Sequence, residues 1–287
     1  MKRARTLLLG LSFVCFPFAS RAAELNCATS TSNVEDFRYS WHLRGATGWL
    51  AGFVFPNKGV GNLKTTFPKA GEHEISSQLM MTSTDKSGFY VYESQMDEAA
   101  SKTLMTYHGY AWGKKARKER TVFDYVKRLM RIHRETTEKV EDRVKLIPAD
   151  ELRDSSLRDI LTAIYYLREH ATEIKSGFTT TIFSDGKPYN VVFRPIERAT
   201  FTMNGQTISG LGFEIADAPG GRKWQGGVRV WISEDERRIP FRIEISESIA
   251  SMQLDLTSVD ACGFMGRSTP ASIGRLVPAK AGAPSAR

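Results

Sequence analysis

Apolar and polar residues alternate with a period of two along much of this chain, and that rhythm sets the fold class before any motif is consulted. Val228, Val230 and Ile232 alternate with Arg229, Trp231 and Ser233. Phe241, Ile243 and Ile245 alternate with Arg242, Glu244 and Ser246, and Met252, Leu254 and Leu256 with Gln253, Asp255 and Thr257. Such regularity marks half-buried antiparallel strands. The polar run Glu234 to Arg238 is the turn between the first two, and Pro240 stands at a strand start, where its missing N–H is tolerated. Asp185-Gly186 separates Thr179–Ser184 from Tyr189–Arg194, and Asn204-Gly205 separates Ala199–Met203 from Gln206–Ile215. Both dipeptides suit a two-residue hairpin turn that needs positive φ. Strands are also expected at Phe37–Leu43, Glu74–Met81, Gly88–Ser94 and Thr103–Tyr110. Residues 117–145 admit a charged helix or further strands. The balance favours strands, because Thr121–Val126 and Leu129–Arg134 alternate and no helix cap or clean apolar face is present.

One stretch breaks the rhythm. From Ser155 to about His170, Leu157, Ile160, Leu161, Ile164 and Leu167 recur at helical spacing behind the N-cap residues Asp154 and Ser155. Ten or more antiparallel strands with a single long helix form a sheet too large to stay flat. The expected fold is therefore mainly β: a strongly curved antiparallel sheet, barrel or half-barrel, with the helix packed on its concave side or across its mouth.

Composition moves the picture outward from the cytoplasm. Lys2, Arg3 and Arg5 precede the apolar run Leu7 to Phe18, and Ser20-Arg21-Ala22 supplies the small-residue exit of a secretory signal peptide. The apolar run is too short for a stable membrane span, and no later run is long enough to cross. Residues 1–22 are read as the signal, cleaved near Ala22 or Ala23, residues 23–262 as one domain, and the Ala-, Pro- and Gly-rich residues 263–287 as a disordered tail. Removing the signal takes four basic residues with it and lowers the formal net charge from +8 by four, which gives no case for nucleic acid. Cys27 and Cys262 remain, and an oxidising compartment favours one disulfide between them over two free thiols.

Candidate chemistry is sparse. The chain has no nucleophile elbow, P-loop or dinucleotide-binding turn, and His42, His73, His108, His133 and His170 lack metal-ligand spacing. No cofactor is expected. Ser83-Thr84-Asp85-Lys86 has the spacing of a penicillin-binding serine and lysine but reads as a hairpin turn, and His133 and Glu135 share one face of a strand. The basic run Lys114 to Arg120 is either a contact for anionic headgroups or, the favoured reading, a solvated hairpin tip. Arg168 falls on the apolar stripe of the helix, close to Leu161 and Ile164. It is left to pair with a buried carboxylate, to fix the anionic head of a ligand, or to reach the helix end. Tyr165 at the edge of that stripe, and Trp231 opposite an apolar row, are the candidate ligand-facing aromatics, weighed against ordinary packing.

Leu157 to Arg168, the turn Asp185-Gly186-Lys187, and Val230-Trp231-Ile232-Ser233 followed by Arg238-Ile239-Pro240 give the chain a family resemblance. From about Val34 to Val259 it resembles an uncharacterised exported family of Gram-negative bacteria known as a domain of unknown function. That family is similar in architecture to periplasmic lipoprotein carriers and receptors of the LolA/LolB type, half-open curved sheets with a helical lid over an apolar cavity. The Cys27/Cys262 pair departs from the family pattern. The resemblance implies no catalytic residues. The expectation is a periplasmic, non-catalytic protein that binds a lipid or other apolar molecule in envelope assembly or maintenance. The alternatives are an envelope interaction protein with a filled barrel and a protein partner, and an envelope hydrolase.

Overall fold

A computed structural model describes residues 33–44, 56–147 and 156–261, apart from 175, 185, 204, 220–223, 225 and 247–250. Residues 1–22, read from sequence as a signal, Cys27, Cys262 and residues 263–287 lie outside the described residues.

Fourteen antiparallel strands form one sheet: β1 (Val34–Arg44), β2 (Lys58–Thr66), β3 (Glu74–Ser83), β4 (Gly88–Asp97), β5 (Thr103–Trp112), β6 (Lys115–Asp124), β7 (Leu129–Thr136), β8 (Val140–Leu146), β9 (Phe178–Ser184), β10 (Lys187–Met203), β11 (Gln206–Asp217), β12 (Gly227–Ser233), β13 (Pro240–Ser246) and β14 (Ser251–Ala261). In space the order is β8-β7-β6-β5-β4-β3-β2-β1-β14-β13-β12-β11-β10-β9. Consecutive strands thus pair with each other throughout, except β8 and β9, which form the two edges, and β1 pairs with β14 to join the two wings. The one helix among the described residues, α1 (Ile160–His170), lies in the chain between the two edge strands β8 and β9.

The alternation read from sequence becomes two faces. Along β1, Glu35, Phe37, Tyr39 and Trp41 point inward and are buried, as are Leu63 of β2, Leu79 and Met81 of β3, Val228, Val230 and Ile232 of β12, and Leu254 and Leu256 of β14. The sheet wraps around this core and α1 but does not close, because β8 and β9 do not pair. Residues ahead of the helix bridge the gap instead. Thr103 N–H donates to the Leu157 carbonyl at 2.8 Å, Arg158 N–H to Thr181 at 3.2 Å, and Phe183 N–H to Arg158 at 2.7 Å. Phe123 meets Phe183 edge-on at 4.9 Å, and Lys145 Nζ donates to the Gly186 carbonyl at 3.2 Å, so the β6–β8 wing leans against the β9–β10 turn.

The structure refines or adds to the sequence reading at four places. Residues 117–145 are strands, in agreement with the favoured reading, but they divide into β6, β7 and β8, and the basic run enters β6 at Lys115 instead of forming only a hairpin tip. The helix starts at Ile160, with Asp159 as N-cap, because the backbone of 157–158 is already spent on β5 and β9; the expected caps Asp154 and Ser155 lie outside the described residues. The segments expected at 189–194 and 199–203 are one strand, β10, bent by an irregularity between Ile196 and Ala199. Strand β2 had no apolar signal: its inward row is Gly59, Gly61, Leu63 and Thr65, with small residues where bulky rings press in. A Cβ on Gly59 would lie 2.0 Å from the Thr82 carbonyl and 2.6 Å from Trp41 Nε1. The glycines of both expected hairpin turns hold positive φ, 72° at Gly186 and 77° at Gly205.

Candidate functional site

Helix α1 is fixed to the concave face by polar contacts buried among apolar ones. Asp159 caps it by accepting from Thr162 N–H at 2.8 Å, and its own N–H donates to Thr103 Oγ1 at 2.8 Å. Burial raises the Asp159 carboxyl above its usual value, against hydrogen bonds from Thr162 that lower it. Thr162 Oγ1 then meets Ser94 of β4 at 2.9 Å and Thr103 of β5 at 2.7 Å. One turn on, the Tyr165 hydroxyl donates to Glu35 at 3.1 Å and bonds Thr65.

Arg168 closes the series. Its guanidinium grips Glu35 with two parallel bonds of 2.7 Å, and both side chains are nearly inaccessible, at 2% and 3% exposure. Arg168 Nε donates to the Arg238 carbonyl at 2.9 Å and Nη2 to that of Arg237 at 3.0 Å. Arg238 in turn donates to the carbonyls of Arg168 and Glu169, so the helix end and the β12–β13 turn hold each other. Burial alone would lower the Arg168 pKa, but the Glu35 charge more than reverses this and the group stays cationic. Of the alternatives open from sequence, pairing with a buried carboxylate is the one the structure shows.

Beside the first turns of α1 the concave face is not filled. A cavity of about 100 Å³ lies there. Ile160, Leu161 and Ile164 of the helix form one wall, with Leu79, Phe183, Ile243 and Ile245 around it. Tyr92, His108, Thr106, Thr121, Glu119 and Asp159 supply the aromatic and polar part of the lining. Thr121 is 1% exposed and its hydroxyl has no hydrogen-bond partner among the described residues. Such a group costs free energy unless something in the cavity completes it.

Two features extend outward from the cavity on the same sheet face. Tyr90 and Tyr92 of β4 lie opposite Tyr110 and His108 of β5, and Trp112 follows two residues on. Tyr92 stacks on His108 at 4.5 Å, Tyr110 on Trp112 at 4.8 Å, and Tyr90 lies 5.4 Å from Trp112, which gives a continuous, partly exposed ring shelf. On the next strands, Glu119 lies opposite Arg134 and accepts on one oxygen from both Arg117, at 2.8 Å, and Arg134. Burial works to raise the Glu119 carboxyl, but these two guanidiniums outweigh it and hold it below the ordinary carboxylate value.

The residues singled out from sequence are not brought together. Arg168 and Tyr165 belong to the Glu35 cluster, and neither lines the cavity. Trp231 is buried on the convex side, where its indole N–H donates to the Glu197 carbonyl at 3.3 Å beneath the bend of β10. Ser83 and Asp85 form a turn through a 2.7 Å side-chain bond, and His133 lies on the convex face between Asp142 and Glu135 at 2.8 and 3.1 Å. No group of three or more metal-ligating side chains occurs among the described residues. Sequence reasoning missed Glu35, Thr121 and the ring shelf. The spacings Tyr90-x-Tyr92 and His108-x-Tyr110-x-Trp112 put each set on one strand face, but only the register sets them side by side.

No curated protein is matched by the chain. Among solved structures, the fold is similar to a β-barrel-like protein of the domain of unknown function DUF1849 from Brucella abortus, with a TM-score of 0.49 and 10% identity over 80% of this chain and 98% of that one. The lipoprotein LppX of Mycobacterium tuberculosis is matched with a TM-score of 0.25 and 10% identity, over 80% of this chain and 87% of that one. A family model covers residues 58–257, from the start of β2 into β14, and so takes in every residue lining the cavity while leaving Glu35 outside. The chain belongs to that family, DUF3108, described as a protein of unknown function.

Proposed function

We propose that the protein is a non-catalytic, periplasmic binding protein that holds the apolar end of a lipid or similar amphiphile between α1 and the curved sheet. The observation that carries this is the cavity beside α1, with aliphatic walls, the unpartnered hydroxyl of Thr121, and a ring shelf leading out of it. At about 100 Å³ it is smaller than an engineered cavity of about 150 Å³ that accepts benzene. It therefore takes the end of a chain, with the rest lying along the aromatic shelf. Each methylene taken from water contributes about 0.8 kcal/mol, so affinity grows with the length buried and needs no covalent chemistry. Export rests on the signal-like residues 1–22, and no helix among the described residues is long and apolar enough to cross a membrane.

A second reading, docking to an envelope protein, draws on the edge strand β8, whose outward Val140, Val144 and Leu146 are largely exposed. Native mass spectrometry of the protein purified from the periplasm separates the two. A native mass above that of the polypeptide, releasing an amphiphile on denaturation, supports the binding reading. A bare mass that stays bare after incubation with envelope lipids overturns it in favour of the second. The denatured, non-reduced mass reports whether residues 1–22 are removed and Cys27 and Cys262 bridged.

A further inference from the structure

We infer that the amphiphile bound beside α1 carries an anionic head, held at the inner face of β6–β8 by Arg117 and Arg134; this rests on the binding reading above and names the ligand class for the same site. The concave side of these strands has an unbalanced charge. By alternation and register, Lys115, Arg117, Arg134, Arg143 and Lys145 share it with only two carboxylates, Glu119 and Glu141. Those two are already committed: Glu119 to Arg117 and Arg134, and Glu141 to Arg143 and to Lys139 from the adjoining turn. Glu119 lines the cavity and meets both guanidiniums, and even with Glu141 opposite Arg134 and Asp159, which also lines the cavity, the five cations outnumber the carboxylates here. Both arginines are partly shielded, with 24% of each side chain exposed, which strengthens attraction to an anion relative to open solvent. The planar fork of a guanidinium also matches carboxylate and phosphate oxygens.

The arrangement is that of an amphiphile's two ends. The aliphatic wall of α1 and β13 receives the tail, Thr121 on the inner row of β6 lies between, and the arginine pair meets the head. Arg168, the arginine most apparent in the sequence, is excluded from this part because Glu35 and two backbone carbonyls already hold it. The shared chemistry is a singly or doubly charged oxyanion, from a fatty acid or from a phospholipid head.

The test compares laurate, dodecyl phosphate and dodecanol, each below its aggregation threshold, by isothermal titration against the full mature protein. Both anions are expected to bind at least about tenfold more tightly than dodecanol, the least that charge-assisted hydrogen bonds contribute. That preference should fall severalfold in high salt and in Arg117→Gln/Arg134→Gln. A larger gain for dodecyl phosphate points to a phospholipid head, and equal gains to a fatty acid. Equal binding of all three by the wild-type protein overturns the anionic head and leaves the binding reading standing, whatever the variant does. Binding of none overturns both.

Discussion

Glu35→Gln removes one charge of the buried pair while keeping its shape, and it tests whether Arg168 is a structural clamp. In the folded protein Arg168 loses the countercharge it meets through two 2.7 Å bonds, in a site where both side chains are at most 3% exposed. Breaking such a pair costs about 3–5 kcal/mol, because the remaining charge cannot return to water. The lower end applies here, since the carbonyls of Arg237 and Arg238 and the Tyr165 ring, 4.7 Å from the guanidinium, remain to solvate it. For a chain of this size about 1 kcal/mol shifts the melting temperature by roughly 2–4 °C, so a drop of about 6–12 °C is expected. Removing both charges in Glu35→Leu/Arg168→Met should recover part of that loss, since replacing a buried pair by apolar groups is often neutral but here takes the donor away from the Arg237 and Arg238 carbonyls. Urea unfolding followed by tryptophan fluorescence gives the same comparison as a midpoint shift. The reasoning is refuted if Glu35→Gln melts within about 2 °C of wild type, or if the double variant is no more stable than the single one. A variant that keeps its stability but loses its amphiphile would instead assign Arg168 to the ligand.

Other perturbations check other parts of the structure. Thr121→Val replaces the unpartnered buried hydroxyl with a methyl group, and should leave stability unchanged or raise it by about 1 kcal/mol; a loss of that size in urea unfolding would mean the hydroxyl has a partner in the folded protein. Gly59→Ala sets a Cβ against the Thr82 carbonyl and the Trp41 indole and should cost more than about 2 kcal/mol, whereas an unchanged melting temperature would show that the β1–β2–β3 contact is looser than described. Hydrogen bonds to Asp142 and Glu135 raise the His133 pKa above its ordinary value. Its protonated form therefore stabilises the fold fully below about pH 6.5 and loses that effect as the pH rises through the raised value. The NMR titration midpoint of its ring should fall in Asp142→Asn, and a wild-type midpoint at the ordinary value would contradict the pairing. Glu119 has the opposite sign: its lowered pKa adds stability above the ordinary carboxylate value, lost as the pH falls through the folded one, and Glu119→Gln should flatten the acid limb of the stability curve.

The sequence by itself determined that this is a β protein with one helix, because side-chain direction in a strand has a period of two and needs no partner to be read. Val228 to Ser233, Phe241 to Ser246 and Met252 to Thr257 were legible for that reason, as were the turns at Gly186 and Gly205. Strand β2 was not, since the need for its inward Gly59 is set by the Thr82 carbonyl of β3 and the Trp41 indole of β1, which press against it. The helix start was hidden because Leu157 has helical spacing, yet the backbone of 157–158 is taken by Thr103 of β5, far earlier in the chain, and by Thr181 and Phe183 of β9, well after it. The site was the least legible part. An arginine on an apolar stripe announces that it needs a partner, but Glu35 lies 133 residues away and is chosen by the fold. Whether inward residues fill a core or line a cavity depends on how the sheet curls around α1. Tyr92, His108, Thr121 and Ile243 look like any other alternating strand positions, and only the tertiary structure, which sets them around unfilled space, distinguishes them.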